Sequence, residues 1–310
     1  MTMVRAGTRR IEISNEDKVL FPEDGITKGD LVTYYREIAA TMLPYTKGRP
    51  VMMQRFPDGI GRPGFYQKDV GKELPDWIHR VTVKKIGGYV THVVCDDAAS
   101  LVYLANLACI TPHVWLSRVD KLDVPDQIIF DLDPSNDDFS IVRRVARDLR
   151  TLLEQLGLPA FVKTTGSRGL HVVIPLVRHA NFDAARAFAR GVALVLVRRD
   201  PDHMTIEARK ERRKGRLLID VMRNSYAQTA VAAYAVRAKP GAPVSTPVTP
   251  GELKTEFTAD RWNLNNVEQR IKKVGNLWED FWDKRQSLSE ALELLDQRLL
   301  AGKNKITKTR

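Results

Sequence analysis

Two acids stand two residues apart at the end of an apolar run, Gln127-Ile-Ile-Phe-Asp-Leu-Asp133, and no other feature constrains the fold as tightly. Residues 127–132 read as a short buried strand. Side chains alternate along a strand, so Asp131 and Asp133 share one face. Two close carboxylates repel each other, and burying them unpaired is costly. The chain must therefore bring cations or hydrogen-bond donors to that face. Two readings stand. A divalent cation would remove both costs, and hard oxygen ligands suit magnesium or manganese. Alternatively, the acids cap the next helix. A third acid, Asp220, lies in another apolar run, Leu217-Leu-Ile-Asp-Val221, and is either functional or a hydrogen-bonded structural group. Asp131, Asp133 and Asp220 together would form a three-carboxylate site of the kind used for two-metal phosphoryl or nucleotidyl transfer.

Between these runs lies Lys163-Thr-Thr-Gly-Ser-Arg-Gly-Leu-His171. Gly166 and Gly169 let the backbone turn tightly, while Thr165, Ser167 and Arg168 add hydroxyl and guanidinium donors. With His171 on the following strand, this makes a cradle for phosphate oxygens. A plain hairpin turn and a structural histidine are the other reading. Overall charge agrees with an anionic partner: 49 Lys plus Arg against 38 Asp plus Glu gives +11, and the sequence pI is near 9.6. Six basic residues crowd into 207–216, directly before the Asp220 strand. Nucleic acid, a nucleotide or an anionic membrane surface would satisfy that charge. No stretch approaches the roughly 18 apolar residues of a membrane span. The basic start, Met1 to Arg10, leads into no apolar signal core, and Cys95 and Cys109 make neither a disulfide framework nor a C-x-x-C zinc site. A cytoplasmic protein is expected.

Periodicity outlines the rest. A capping box at Thr27-Lys-Gly-Asp30 opens a helix over 28–44, with Leu31, Tyr34, Tyr35, Ile38 and Met42 on one face. Strands are predicted over 51–56 and 89–95, and a helix over 97–109. A helix carrying Val142, Val145, Leu149 and Leu152 follows the acidic strand and stops at Gly157. Strands at 160–164 and 170–175, a helix over 182–198 and a strand at 216–221 complete the centre. The four-proline stretch Lys239–Pro250 reads as an extended connection, and a last helix opened by Ser287-x-x-Glu290 packs through Leu292, Leu295, Leu299 and Leu300. Hairpin-like strands flanked by helices argue for an α+β fold. One domain is expected over 1–300, with an N-terminal portion at about 1–110, a catalytic core at about 111–300 and a flexible basic tail at 301–310.

An apolar strand ending D-x-D also opens the haloacid-dehalogenase-like phosphatases, whose first Asp is a nucleophile. Those proteins expect Thr or Val two places after the second Asp, where this chain has Ser135, and no later G-D-x-x-x-D pair stands out.

The ordered set D-L-D-P, T-G-S-R-G-L-H and L-I-D-V resembles the archaeo-eukaryotic primase superfamily, and more closely the polymerase domain of bacterial ligase D. The resemblance extends to Ser14-Asn-Glu-Asp-Lys-Val-Leu-Phe-Pro22, Thr27-Lys-Gly-Asp30, Pro57-Asp-Gly59, Gly64-Phe-Tyr-Gln-Lys68, Pro112-His-Val-Trp115 and the stretch Arg237–Ser245. It implies a primase-polymerase core of antiparallel and mixed sheets, and a nucleotidyltransferase that fills short gaps during repair, favouring ribonucleotides. Asp131, Asp133 and Asp220 would hold two divalent cations, manganese or magnesium. Thr165, Ser167, Arg168 and His171, with His113 and Arg237, would contact a nucleoside triphosphate. Asn15, Lys18 and Lys28 would grip the 5′-phosphate of gapped or broken DNA, and Phe65 and Tyr66 would stack at the template. Arg55, Lys68 and Arg213 would make further contacts. End joining with a Ku-like protein and a separate ligase is the alternative role, and an idle DNA-end binder is a third. Thr165 and Arg168 stand where the family has Ser and Lys, and Gln228 stands where some members have Lys. The chain ends at Arg310 with no nuclease or ligase module, so a stand-alone paralogue is expected.

Overall fold

A computed structural model describes residues 2–71 and 73–307. The first half of the chain runs β1 (Thr2–Ala6), β2 (Arg9–Ile13), β3 (Val19–Phe21), β4 (Ile26–Thr27), α1 (Lys28–Thr46), β5 (Pro50–Arg55), β6 (Phe65–Gln67), β7 (Arg80–Lys85), β8 (Gly88–Val94), α2 (Ala98–Asn106) and β9 (Cys109–Trp115). It continues through β10 (Gln127–Asp133), α3 (Phe139–Gln155), β11 (Phe161–Thr164), β12 (Leu170–Pro175), α4 (Phe182–Arg199), β13 (Met204–Thr205) and β14 (Leu217–Asp220). The last elements are β15 (Thr229–Val231), β16 (Pro247–Val248), α5 (Val267–Val274) and α6 (Ser289–Thr307).

Two six-stranded sheets dominate. One has the order β13-β14-β10-β12-β11-β16 and is antiparallel except at β13–β14. The other has the order β15-β9-β5-β8-β7, with β6 added on β5. This is the expected α+β architecture. Helices α3 and α4 pack against the first sheet, and Ile128, Phe130 and Leu132 of β10 are fully buried. The alternate residues of β10, including Asp131, project from its other face. β15 joins the second sheet after β14 has completed part of the first, so the chain crosses from one sheet to the other just beyond Asp220.

Local chemistry explains most boundaries. Thr27 and Asp30 form the reciprocal capping box, and α1 continues to Thr46 through Pro44. The helix expected to reach 109 stops at Asn106. Ala108 turns the chain at φ +55°, and Cys109–Trp115 pairs with β5, because Ile110, Thr111 and Val114 suit a pleated surface better than a helix. The proline-rich connection supplies β16 at the sheet edge, where Pro247 forfeits no ladder hydrogen bond. In α6, Leu295 is buried, but Leu292 is 36% exposed and so stands apart from the expected packing stripe. That helix runs to Thr307, into the basic stretch expected as a tail, and residues 308–310 lie outside those described.

A buried ion pair ties the end of α1 to the start of β10. The Arg49 guanidinium, fully buried, donates to both Asp126 oxygens at 2.7 Å, to the Trp115 carbonyl at 3.1 Å and to the Tyr45 carbonyl at 2.9 Å. Arg118 adds a bond to Asp126 at 2.8 Å. Removing one partner of such a pair strands a buried charge. Asp126→Ala is therefore expected to destabilise the protein by about 3–5 kcal/mol in urea unfolding. The double change Arg49→Met with Asp126→Leu is expected to recover much of that loss. Equal stability of Asp126→Ala and the wild type would remove the pair from the fold's account.

Candidate active site

The register of the first sheet builds the site. Asp131 on β10 lies opposite His171 on β12 and, on its other side, opposite Asp220 on β14. Lys163 on β11 lies opposite His171. Directly opposed residues project from the same face, so Lys163, His171, Asp131 and Asp220 form one polar row across four strands. Asp133 lies two residues farther along that face. The second sheet contributes His113 and Val231, which are themselves cross-strand partners, and Arg237 follows in the chain. All of these except Lys163 line a cleft of about 280 Å³, together with Thr165, Ser167, Arg168, Arg213 and Arg223.

Basic groups hold the two acids of β10. Asp133 accepts from Arg213 Nη1 at 2.7 Å and lies 3.5 Å from Arg168 Nη2. Asp131 lies 3.5 Å from both His171 Nε2 and Arg223 Nε. Burial pushes the Asp131 carboxyl up, but His171, Arg223 and Lys163 outweigh it and hold the group down at about 2. Asp220 differs. Its carboxylate accepts the Met222 N–H at 2.8 Å, and among the described residues no cation lies within ion-pairing distance. Burial raises its pKa, the Met222 amide opposes this, and the charges of Asp131 and Asp133 raise it further. Burial and the neighbouring Lys163 lower His171 to about 4, against the pull of Asp131. Burial and the Arg237 and Arg223 charges lower His113 to about 3, so both histidines are neutral at pH 7. Burial and Arg237 bring Lys163 down to about 7, with Asp131 opposing.

The three acids share a face and offer hard oxygen donors, and Asp220 carries the like-charge strain that a divalent cation relieves. In kind, the donor set fits magnesium or manganese. Among the described residues, however, no three acidic, histidine or cysteine side chains are gathered closely enough to grip an ion. Asp131 and Asp133 are turned to their arginine and histidine partners instead.

The turn after Lys163 forms a second wall. Thr165 Oγ1 donates to the Gly169 carbonyl at 3.0 Å and accepts the N–H groups of Ser167 and Gly169, each at 3.2 Å. The hydroxyl expected to face phosphate thus braces the turn from within, while Thr165, Ser167 and Arg168 all line the cleft. Gly166 takes φ +61°, and a Cβ on Gly169 would sit 2.0 Å from the Leu132 carbonyl oxygen. Arg237 Nη1 donates to the Thr165 carbonyl at 2.6 Å. Among the described residues, His113 Nε2, His171 Nδ1 and Arg237 Nε are buried without a hydrogen-bond partner.

Three site residues escaped the sequence reading. Lys163 donates to Ser245 Oγ at 2.7 Å, and Ser245 donates to the Thr164 carbonyl at 2.8 Å. A lysine inside an apolar strand was the available signal for the first, and the hairpin register would have set it beside His171. Arg223 lies on the short helical turn Met222–Asn224, three residues after Asp220, with no signal beyond its charge.

The residues expected to bind nucleic acid lie in several places. Lys28, at the start of α1, is 5% exposed, and its Nζ donates to Ser14 Oγ at 3.1 Å and the Asn106 carbonyl at 3.4 Å. Burial and the charge of Lys18 both lower its pKa. Lys18 pairs with Asp58 at 2.7 Å, and its backbone bonds to both Asn15 and Lys28. Asn15, Lys18 and Lys28 are thus one cluster, outside the cleft. Phe65 and Tyr66 on β6 are 47% and 57% exposed, and the Tyr66 ring meets His113 edge-on at 5.9 Å. Arg55 bonds to the Leu107 carbonyl and Gln67 and lies over the Phe65 ring, which it supports from behind. Lys68 borders a different groove, and Arg213 is spent on Asp133.

Residues 27–278 match the family model described as "LigD, primase-polymerase domain". The multifunctional non-homologous end joining protein LigD of Pseudomonas aeruginosa is 32% identical over 293 residues, covering 93% of this chain and 35% of that protein. The LigD of Mycobacterium tuberculosis is 32% identical over 286 residues, covering 89% of this chain and 38% of that protein. The chain thus spans little more than a third of the length of these curated relatives. Among solved structures, the polymerase domain of Mycobacterium tuberculosis ligase D in complex with DNA superposes with a TM-score of 0.84 at 32% identity, over 89% of this chain and 99% of that one. A cross-strand acidic row, a phosphate-type turn and near-complete structural coverage agree: the chain belongs to the LigD primase-polymerase domain family.

Proposed function

We propose that this chain is a template-dependent nucleotidyltransferase that fills short DNA gaps bearing a downstream 5′-phosphate. The observation that carries this reading is the in-register pairing of Asp131 with Asp220, beside Asp133 and a turn built around Gly166 and Gly169. Asp131, Asp133 and Asp220 would hold two divalent cations, whose charge would polarise the α-phosphate and lower the pKa of the primer hydroxyl. The chain's own groups do the rest. Arg168, Arg237 and Ser167 bind triphosphate oxygens, and the neutral imidazoles of His113 and His171 offer directed hydrogen bonds without adding charge. Arg213 and Arg223 hold the β10 carboxylates in position until the ligand arrives. Ribonucleotide preference and manganese use belong to this proposal through the family.

Outside the cleft, the buried Lys28 amine has only a hydroxyl and a carbonyl as partners among the described residues, so a dianionic phosphate would complete its coordination. Lys18 and Asn15 join it. Phe65 and Tyr66, both exposed and the latter against His113 of the cleft, stack a template base, each contact contributing about 1–3 kcal/mol. The relatives are named for non-homologous end joining, which favours a second setting in which the same site acts across a break; a Ku-like protein and a separate ligase would be this reading's partners there. A bacterial cytoplasmic, nucleoid-associated enzyme is consistent with both, and among the described residues no helix is long and apolar enough to cross a membrane. The phosphatase alternative falls with the family assignment.

Purified protein given a one-nucleotide, 5′-phosphorylated gap, manganese and ribonucleotides is expected to extend the primer by one templated residue. Hydrolysis of a generic phosphate ester with no incorporation would overturn the proposal, and binding without incorporation would make the protein a scaffold. Asp220→Asn is expected to reduce incorporation by about 100-fold or more, with gap affinity retained. Extension at the wild-type rate would take Asp220 out of the chemistry. Lys18→Ala combined with Lys28→Met is expected to abolish the affinity difference between gaps with and without the 5′-phosphate in an electrophoretic shift assay. Persistence of that difference would move the phosphate pocket elsewhere.

A further inference from the structure

A concavity of about 800 Å³, larger than the cleft with the acids, opens elsewhere among the described residues. It lies between the β7–β8 hairpin and the segment entering β15. Met52, Val90, Trp115 and Tyr226 line it, with Lys68, Lys84 and Lys85 around it and Asp69 as the acid among them. Asp69 is already committed, since its carboxylate accepts the Thr91 N–H at 2.8 Å. Tyr226 is 41% exposed and meets the Trp115 ring edge-on at 5.3 Å, so an aromatic surface is left open to solvent. Exposed aromatic surface beside several uncommitted cations fits a flat, apolar group attached to anions.

The groove continues the cleft. Trp115 follows His113 by two residues on β9, so both project from one face of the second sheet. On β15, Val231 lies opposite His113 in the cleft, and Thr229 lies opposite Trp115 in the groove. Met52, a groove residue, is likewise the partner of His113 on β5. A strand leaving the cleft along this face passes directly over the groove.

We infer that this groove binds an unpaired nucleotide of the nucleic-acid substrate, with its base against Tyr226, which the buried Trp115 backs, and its phosphates beside Lys84 and Lys85. The identity of the occupying strand rests on the proposed polymerase function. The groove recognises stacking surface and negative charge rather than base sequence.

The test is the affinity of an oligothymidylate without a 5′-phosphate, measured by fluorescence anisotropy at low salt. Such a probe offers nothing to the Lys18–Lys28 pocket. Tyr226→Ala, and separately Lys84→Ala with Lys85→Ala, are expected to weaken binding by about fivefold or more. Tyr226→Phe keeps the ring and is expected to bind as the wild type. Lys254→Ala with Lys273→Ala removes equal charge elsewhere and is expected to have less than about a twofold effect. Incorporation at a fully paired one-nucleotide gap is expected to be unchanged in all of these variants. Both lysines of the Lys84–Lys85 pair are exposed, so that variant tests the groove even if Tyr226→Ala fails to fold. Wild-type affinity in the Lys84–Lys85 variant, or an equal loss in the charge control, would overturn the groove. If the wild type incorporates nothing but the groove variants lose affinity, the polymerase function fails and the groove stands. If the wild type incorporates nucleotides while the groove variants keep full affinity, the groove fails and the polymerase function stands.

Discussion

The pairing register of one central strand governs this molecule. β10 must sit between β12 and β14 so that Asp131 meets His171 on one side and Asp220 on the other. A slip of one residue would turn the carboxylates into the helical layer and expose Phe130 and Leu132 to the cleft. The penalty on both faces fixes the register: fully buried apolar residues on one, compensated acids on the other. Packing and chemistry are thus specified by the same alternation, and neither can be relaxed without the other.

Charge compensation across the cleft follows from that arrangement. Asp131 lies between a neutral histidine and an arginine and Asp133 between two arginines, whereas among the described residues Asp220 has a hydrogen bond from a backbone amide and no ion pair. The asymmetry singles out Asp220 as the least satisfied of the three. It also explains why the acids stand apart in the protein by itself, because each leans towards its own donor. The second sheet completes the enclosure with buried imidazole and guanidinium nitrogens that have no partner among the described residues.

Much of this was legible in the sequence. D-x-D at the end of an apolar run announced two carboxylates on one face, and the glycines at 166 and 169 announced a tight turn. The Thr27–Asp30 box fixed the start of α1 to the residue. What the sequence hid were relations set by tertiary pairing. The role of Thr165 depends on Gly169 folding back to meet its hydroxyl. Arg213, one of six basic residues in a short run, is the one turned inward, 7% exposed against Asp133. Nothing in the local pattern separates it from its neighbours. Residues 107–110 are apolar enough for either a helix or a strand, and only pairing with β5 decides between them.

The close approach of Gly169 to the Leu132 carbonyl has a consequence for how such a site can diversify. With any larger residue at 169, the turn would collide with the backbone of the acid-bearing strand, so turn and strand behave mechanically as one rigid piece. Sequence change is then channelled to the cleft-facing positions of the turn, where Arg168 can exchange one cationic donor for another without moving the wall behind it. The chemistry of the donors is free to drift, while their distance from Asp131 and Asp133 is locked by a missing methyl group.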